Sequence, residues 1–254
     1  GLGGRVRVVF QPAEELAQGA VWMRDAGAVE GLDALFGLHV VPNLPVGTVG
    51  IRRGCLTAAA GELEILVQGE GGHGARPHQA VDAVWLAARV ITELQQTIAR
   101  RLDALQPVVI SFGKVEGGRA FNVIADQVRL LGTVRCLDLQ QHALLPAWIE
   151  EMVQGICGSG GGTAVVNYRC IAPPVHNDPQ LTALLERCAV GCLGRDKVLP
   201  VEQPSLGAED FAELLRDVPG MMVRLGVAGP EGCAPLHNGA FALEEDALGV
   251  GITV

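Results

Sequence analysis

The sequence predicts an α/β fold in which a central, mostly parallel sheet is interrupted by an inserted ferredoxin-like unit. Three observations carry this expectation. The chain opens on strand, helix and strand signals in succession, which suits parallel pairing across a helical crossover. Between residues 56 and 172 the signals run β-α-β-β-α-β, an order that closes on itself as a separate sheet. From 173 onward alternating helix and strand signals resume. One domain is therefore expected to comprise 1–55 and 173–254, and the insertion 56–172.

Each element has its own reason. RVRVVF (5–10) is an apolar run that reads as a buried strand. Residues 14–26 place Leu16, Ala20 and Met23 on one helical face, with Gly27 as C-cap. LFGLHV (35–40) is a second short buried strand. In GELEILVQG (61–69), Leu63, Ile65 and Val67 alternate with Glu62 and Glu64, the pattern of a half-exposed strand. A long amphipathic helix is predicted from Pro77 to about Leu102, with Val81, Val84, Trp85, Ala88, Ile91 and Leu94 on one face. Strands follow at 107–115 and 127–136, then a helix over 139–157 that Pro146 kinks or truly begins. The glycine run 158–162 leads into strand TAVVNYRCI; it is a turn and not a phosphate loop, since no GK[ST] or GxGxxG accompanies it. The remainder reads as a helix near 178–192, a helix at GAEDFAELLRDV, strand MMVRLGV and a terminal helix after Leu243.

Composition narrows the function. With 254 residues, 49% of them hydrophobic, the chain can bury one large core or two moderate ones. A net charge of −9 argues against a nucleic-acid partner, which demands a basic face. The longest uncharged stretch, 34–51, is broken by Pro42, Asn43 and Pro45, so no membrane span is expected. Seven scattered cysteines without CxxC spacing suggest reduced thiols and a cytoplasmic setting. No signal peptide is visible, and the chain starts at Gly1, almost inside a strand, as a fragment would.

Chemistry gathers at predicted strand ends. Glu14 and Glu15 stand side by side after the first apolar run, where each repels the other. Taken alone they could be a solvated first helical turn, since acids favour a helix N-terminus. His39 ends a buried strand, where ligands collect in open α/β sheets, although a structural histidine would also fit. His237 lies in the loop PLHNGAF, and His73 in GEGGHGARPH, whose glycines suit either a hairpin or close approach to a ligand. Two histidines with carboxylates suit a zinc-type ligand set, and an adjacent carboxylate suits the base that a metal-activated water needs. One glutamate would ligate while its neighbour moves a proton.

The segments VVFQPAEE, GLHV, GEGGHGARPH, FNVIAD with GTVR, GAEDFA and PLHN occur in an order that resembles the metal-dependent N-acyl-amino-acid amidohydrolases. This is the hippurate hydrolase and auxin-conjugate hydrolase branch of the carboxypeptidase G-like metallopeptidases. The resemblance implies a catalytic domain interrupted by a lid that forms a homodimer, small N-acyl amino acids or related amide conjugates as substrates, and two divalent metal ions (zinc, manganese, cobalt or nickel). It implies Glu14 as general base and Glu15, His39 and His237 as metal ligands. His73 would polarise the scissile carbonyl, often from the partner subunit, and Asn122 and Arg135 would lie near the substrate's amide or carboxylate. Arg135 could equally form an ion pair on an exposed strand face, and Asn122 could serve a turn. Glu209 and Asp210 are expected to cap a helix and brace the site. The family's upstream segment, with a Cys-Gly-His-Asp type motif that supplies a bridging ligand and a further histidine, is not in this sequence. The chain is thus expected to be a fragment of a longer enzyme. The alternatives are a truncated, non-catalytic homodimeric or ligand-binding module and, with no Cys–His–acid spacing in its favour, a cysteine hydrolase using Cys55 or Cys233.

Overall fold

Residues 5–10 depart first from expectation. The computed structural model describes residues 3–103, 105 and 107–254, and RVRVVF joins no strand among them. Val6, Val8 and Phe10 are 74%, 71% and 87% exposed. Branched side chains favour extended backbone, but a strand forms only where a neighbouring strand pairs with it. Arg7 tethers the segment instead, donating from Nη1 to the carbonyls of Ala28 at 2.8 Å and Glu30 at 3.1 Å.

The helix expected over 14–26 is also broken. Glu14–Leu16 forms a single 3-10 turn between Ala13 and Ala17, both at φ of 51°. Helix α1 (Gly19–Asp25) begins only after it. A Cβ on Gly19 would lie 1.5 Å from the Pro12 carbonyl oxygen, so the chain folds back on itself here only because residue 19 lacks a side chain. Gly27 does end α1, with φ of 79°. β1 (Leu35–Pro45), β2 (Val49–Ile51) and β3 (Gly54–Cys55) follow.

The chain divides into two compact units. One holds the residues up to Thr57 with Val175–Ser205 and Glu209–Val254; the other is Ala58–Pro174 with Leu206–Ala208. In the second unit, β4 (Ala59–Gln68) and β5 (Gly72–His73) precede a 3-10 turn at Pro77–Gln79 and α2 (Ala83–Arg101). That helix starts later than Pro77 because Asp82 caps it, accepting the N–H groups of Val84 at 2.9 Å and Trp85 at 3.1 Å. Its inward face is Ala83, Leu86, Ala87, Val90, Leu94 and Ile98, while Val84 and Trp85 are exposed. Next come β6 (Val108–Gly117), β7 (Val123–Ile124), β8 (Gln127–Cys136), α3 (Leu139–Ser159) and β9 (Thr163–Ala172). α3 runs through Pro146, its start fixed by Asp138, which accepts the Gln141 N–H at 2.8 Å. The main sheet is antiparallel throughout, in the order β6-β8-β4-β9. Leu63, Ile65 and Val67 of β4 pack with Leu86 and Val90 of α2 and Leu145 and Ile149 of α3 in one core. The alternate side chains, Glu62 and Glu64, pair with Arg169 and Arg129 on the opposite face.

The first unit resumes with β10 (His176–Asn177), α4 (Pro179–Leu193), β11 (Val198–Pro200), α5 (Phe211–Leu214), β12 (Gly220–Ala228) and α6 (Asp246–Thr253). Asp178 caps α4, with Pro179 in its first turn. The helix expected over GAEDFAELLRDV shrinks to α5. The sheet order is β1-β12-β2-β11. β1 with β12 and β2 with β11 are parallel, but β12 meets β2 antiparallel, so the sheet is mixed where a mostly parallel one is expected. Both faces are covered. Met222 packs with Leu35, Phe211 and Leu214 on one, and Met221, Val223, Leu225 and Val227 pack with Leu185 and Ala247 on the other. A strand covered on both faces reads as an unbroken apolar run. Asn177, fully buried, clamps β12 by donating to the carbonyls of Met222 at 3.0 Å and Arg52 at 2.8 Å and accepting the Met222 N–H at 2.8 Å. Among the described residues there is no disulfide, and no helix is long and apolar enough to cross a membrane.

Candidate functional site

In the first unit, the covered face that carries Phe211 also carries the candidate chemistry. Gly37 of β1 lies beneath the Phe211 ring, where a Cβ would come within 2.8 Å of the ring carbons. Two residues on, His39 stands beside Arg224 of β12 in parallel register. The His39 Nδ1 lies 2.7 Å from the Val40 carbonyl. A carbonyl only accepts, so the proton sits on Nδ1 and Nε2 keeps its lone pair. Burial and the nearby Arg224 charge push the His39 pKa down, which favours that neutral form. Its Nε2 lies 4.0 Å from Glu209 Oε2.

Glu209 and Asp210 enter the site through the turn before α5. Glu209, 4% exposed, has one carboxylate oxygen held by the Phe211 N–H at 3.1 Å. Burial, with the charges of Glu14 and Asp210, pushes its pKa up to about 7. Asp210 accepts the Ala20 N–H at 3.0 Å and the Gln11 side-chain amide, so it fastens both ends of the folded-back segment that bears Glu14 and Glu15. Its pKa is raised by burial although those donors oppose the shift. The Glu14 pKa is raised too, by burial first and by Glu15 and Asp210 after it. Oxygens of Glu14, Glu209 and Asp210 lie within 4.8 Å of one another. Three carboxylates so placed repel unless protonated or bridged by a cation.

Of the residues singled out in the sequence, Glu15 and His237 lie within electrostatic reach of both Glu14 and His39. His237, held at φ of 63°, brings Nδ1 to 3.5 Å from Glu15 Oε1, with both side chains largely exposed. Among the described residues the group with ligand-type oxygens within 4.8 Å of one another is Glu14 with Glu209 and Asp210, so the two acids expected to brace the site also stand beside Glu14. Arg224 carries no motif that marks it, and Gln11 lies within VVFQPAEE without being singled out. The signal that marks Glu209 and Asp210 in the sequence is the adjacent pair of acids within GAEDFA.

His73, Asn122 and Arg135 belong to the second unit. His73 pairs with Val123 in the short ribbon of β5 and β7, and its Nδ1 accepts the Ala75 N–H at 3.1 Å. The Gly74 N–H donates to the Asn122 carbonyl at 2.9 Å. The glycines here serve close approach: a Cβ on Gly69 would lie 2.1 Å from the Val81 carbonyl oxygen, and one on Gly74 2.9 Å from that of Asn122. Arg135 donates to the carbonyls of Leu206 at 3.1 Å and Val134 at 3.0 Å and to the Thr133 hydroxyl, and forms no ion pair among the described residues.

Known proteins resemble the chain throughout. It is 51% identical over 253 residues to a probable hydrolase, sll0100, of Synechocystis, covering 99% of this chain and 64% of that protein. It is 38% identical over 250 residues to an N-acetylcysteine deacetylase of Bacillus subtilis, covering 98% of this chain and 64% of that one. The solved structure of the Bacillus subtilis YXEP protein, described as a dinuclear metal binding peptidase from the M20 family, superposes with a TM-score of 0.77 at 32% identity, over 95% of this chain and 60% of that one. The chain thus spans about 64% of the length of these two relatives. The family model for peptidase family M20/M25/M40 matches residues 2–254, and the chain belongs to that family.

Proposed function

We propose that this chain forms the greater part of a metal-dependent amidohydrolase that cleaves the amide bond of small N-acyl amino acids. The observation that carries the reading is the meeting of Glu14, Glu209 and Asp210 beside His39, whose Nε2 lone pair is free, and beside the Glu15–His237 pair at 3.5 Å. Buried carboxylates with raised pKa next to neutral imidazole form a donor set that fits a divalent cation. Glu15, His39 and His237 would hold an ion, and a second would draw on donors beyond these three. Such ions polarise an amide carbonyl and lower the pKa of a water. Glu14, with its pKa raised, is suited to take a proton from the attacking water and return it to the leaving amine. The second unit would act as the lid, of ferredoxin-like type, and associate with a second copy. From it His73 would donate an N–H to the developing oxyanion, with Asn122 and Arg135 toward the substrate's amide or carboxylate.

The kinship supports the substrate class, since one relative is named for removing acetyl from N-acetylcysteine. The test is metal analysis together with hydrolysis of N-acetyl amino acids, on this chain and on a version extended into its upstream coding region. Metal uptake that is lost in Glu15→Gln, with chelator-sensitive release of acetate by the extended version, is expected. A protein that holds no metal in either form would overturn the reading.

A further inference from the structure

Arg224 is a charge that no described residue binds. It stands in the middle of the sheet of the first unit, flanked in register by His39 on β1 and Gly50 on β2. It is the one position of β12 short of its last residue that is not fully buried. Its guanidinium makes no hydrogen bond or ion pair to any described residue. Glu209 is the only carboxylate whose charge acts on it appreciably, and burial still pulls its pKa down. Gly50 keeps the space beside its stem clear: a Cβ there would lie 3.2 Å from the Arg224 Cβ. Other arginines of this unit find partners. Arg24 pairs with Glu213 at 2.6 Å, Arg53 and Arg195 share Glu186, and Arg52 donates to the carbonyls of Cys55, Val201 and Glu202.

A partly buried guanidinium whose donors meet no acceptor is destabilising unless an anion occupies the place beside it. A planar fork of five donors matches a carboxylate better than any other small anion found on an amino-acid substrate. We propose that Arg224 is a specificity-determining residue that receives the free carboxylate of the substrate, beside His39. The inference rests on the N-acyl amino acid reading for the identity of the anion, though not for the existence of an anion site. It makes a free carboxylate a requirement for tight binding, and acyl amides and internal peptide bonds poor ligands.

The test needs no turnover. Three probes are titrated into the zinc-loaded chain by calorimetry: acetate, N-acetyl-L-alanine and N-acetyl-L-alaninamide. In parallel, the Arg224 Nε–Hε signal is followed by NMR, assigned by its loss in Arg224→Lys. N-acetyl-L-alanine should bind about tenfold or more tighter than the amide. Arg224→Met should erase that preference, Arg224→Lys should keep part of it, and the wild-type signal should shift with acetate and with the acid but not with the amide. If the acid is preferred equally by wild type and Arg224→Met, with no shift of the arginine signal, the substrate class survives and Arg224 is not its receptor. If acetate shifts the signal and N-acetyl-L-alanine does not bind, the anion site stands and the acyl amino acid reading falls. An arginine signal unmoved by every probe overturns the proposal in the unmodified chain, whatever the variants do.

Discussion

Glu209 makes the apo protein's stability depend on pH in a direction opposite to that of most carboxylates. Its pKa is pushed up to about 7 by burial and by the charges of Glu14 and Asp210, from a reference of 4.5. A raised folded-state pKa means that the native state holds its proton more tightly than the unfolded chain. The stabilisation is therefore complete below about pH 4.5 and is lost as the pH rises through about 7. The shift of roughly 2.5 units corresponds to about 3 kcal/mol at 1.36 kcal/mol per unit. With 4% of the residue exposed, no discount for solvent screening applies. The perturbation is Glu209→Gln, which keeps the oxygen that accepts the Phe211 N–H at 3.1 Å and removes the charge. Urea unfolding of both proteins, followed by circular dichroism in excess chelator, gives the comparison at each pH. The two should be of similar stability near pH 4.5, with the variant ahead by about 3 kcal/mol at pH 8. Parallel profiles, or a variant that is the weaker of the two at pH 8, would refute the electrostatic account of this site.

Three further outcomes follow from the same geometry. Glu14→Gln should abolish turnover in the active enzyme with metal content nearly intact, whereas Glu15→Gln should lose metal; elemental analysis beside an acetate-release assay reads both, and the reverse pattern would exchange their roles. Gly19→Ala drives a Cβ to 1.5 Å from the Pro12 carbonyl, so it should destabilise the first unit by about 2–4 kcal/mol in urea unfolding and loosen the Glu14 turn, and a neutral result would mean the fold-back is not required. His73→Ala should lower kcat by roughly 100-fold with metal unchanged, and mixing it with Glu14→Gln subunits should restore part of the activity if the histidine acts across a dimer.

Legibility in the sequence tracked how local the cause was. The strand around 61–69 declares itself by alternation, because one face packs on α2 and α3 while Glu62 and Glu64 lie on the other. The face of α2 was read one step off. Val84 and Trp85 are as apolar as the core, but Asp82 sets the helix phase, and the period alone does not contain that register. RVRVVF has the composition of a strand, and composition says nothing about whether an edge is there to receive it. In the first sheet, β2 and β11 are three residues each, too short for any periodicity to announce them or their direction.

The site was legible to the extent that its residues are unusual for their place. Adjacent glutamates after an apolar run, and histidines at the end of a strand and in a loop, conflict with ordinary packing, and that conflict is what marks them. Glu209 and Asp210 read as a cap and a brace because helix caps are also acidic; their place beside Glu14 is made 190 residues away, where Asp210 takes the Ala20 N–H. Asp210 gives its oxygens to Gln11 and Ala20 and makes no side-chain cap to α5, while Glu209 stands near Glu14 and His39. Arg224 is hidden for the same reason in reverse. A lone arginine in MMVRLGV carries no local mark, and only the sheet register, which sets it between His39 and Gly50, puts it in the site. Function in this chain is therefore written where local preference and tertiary placement disagree.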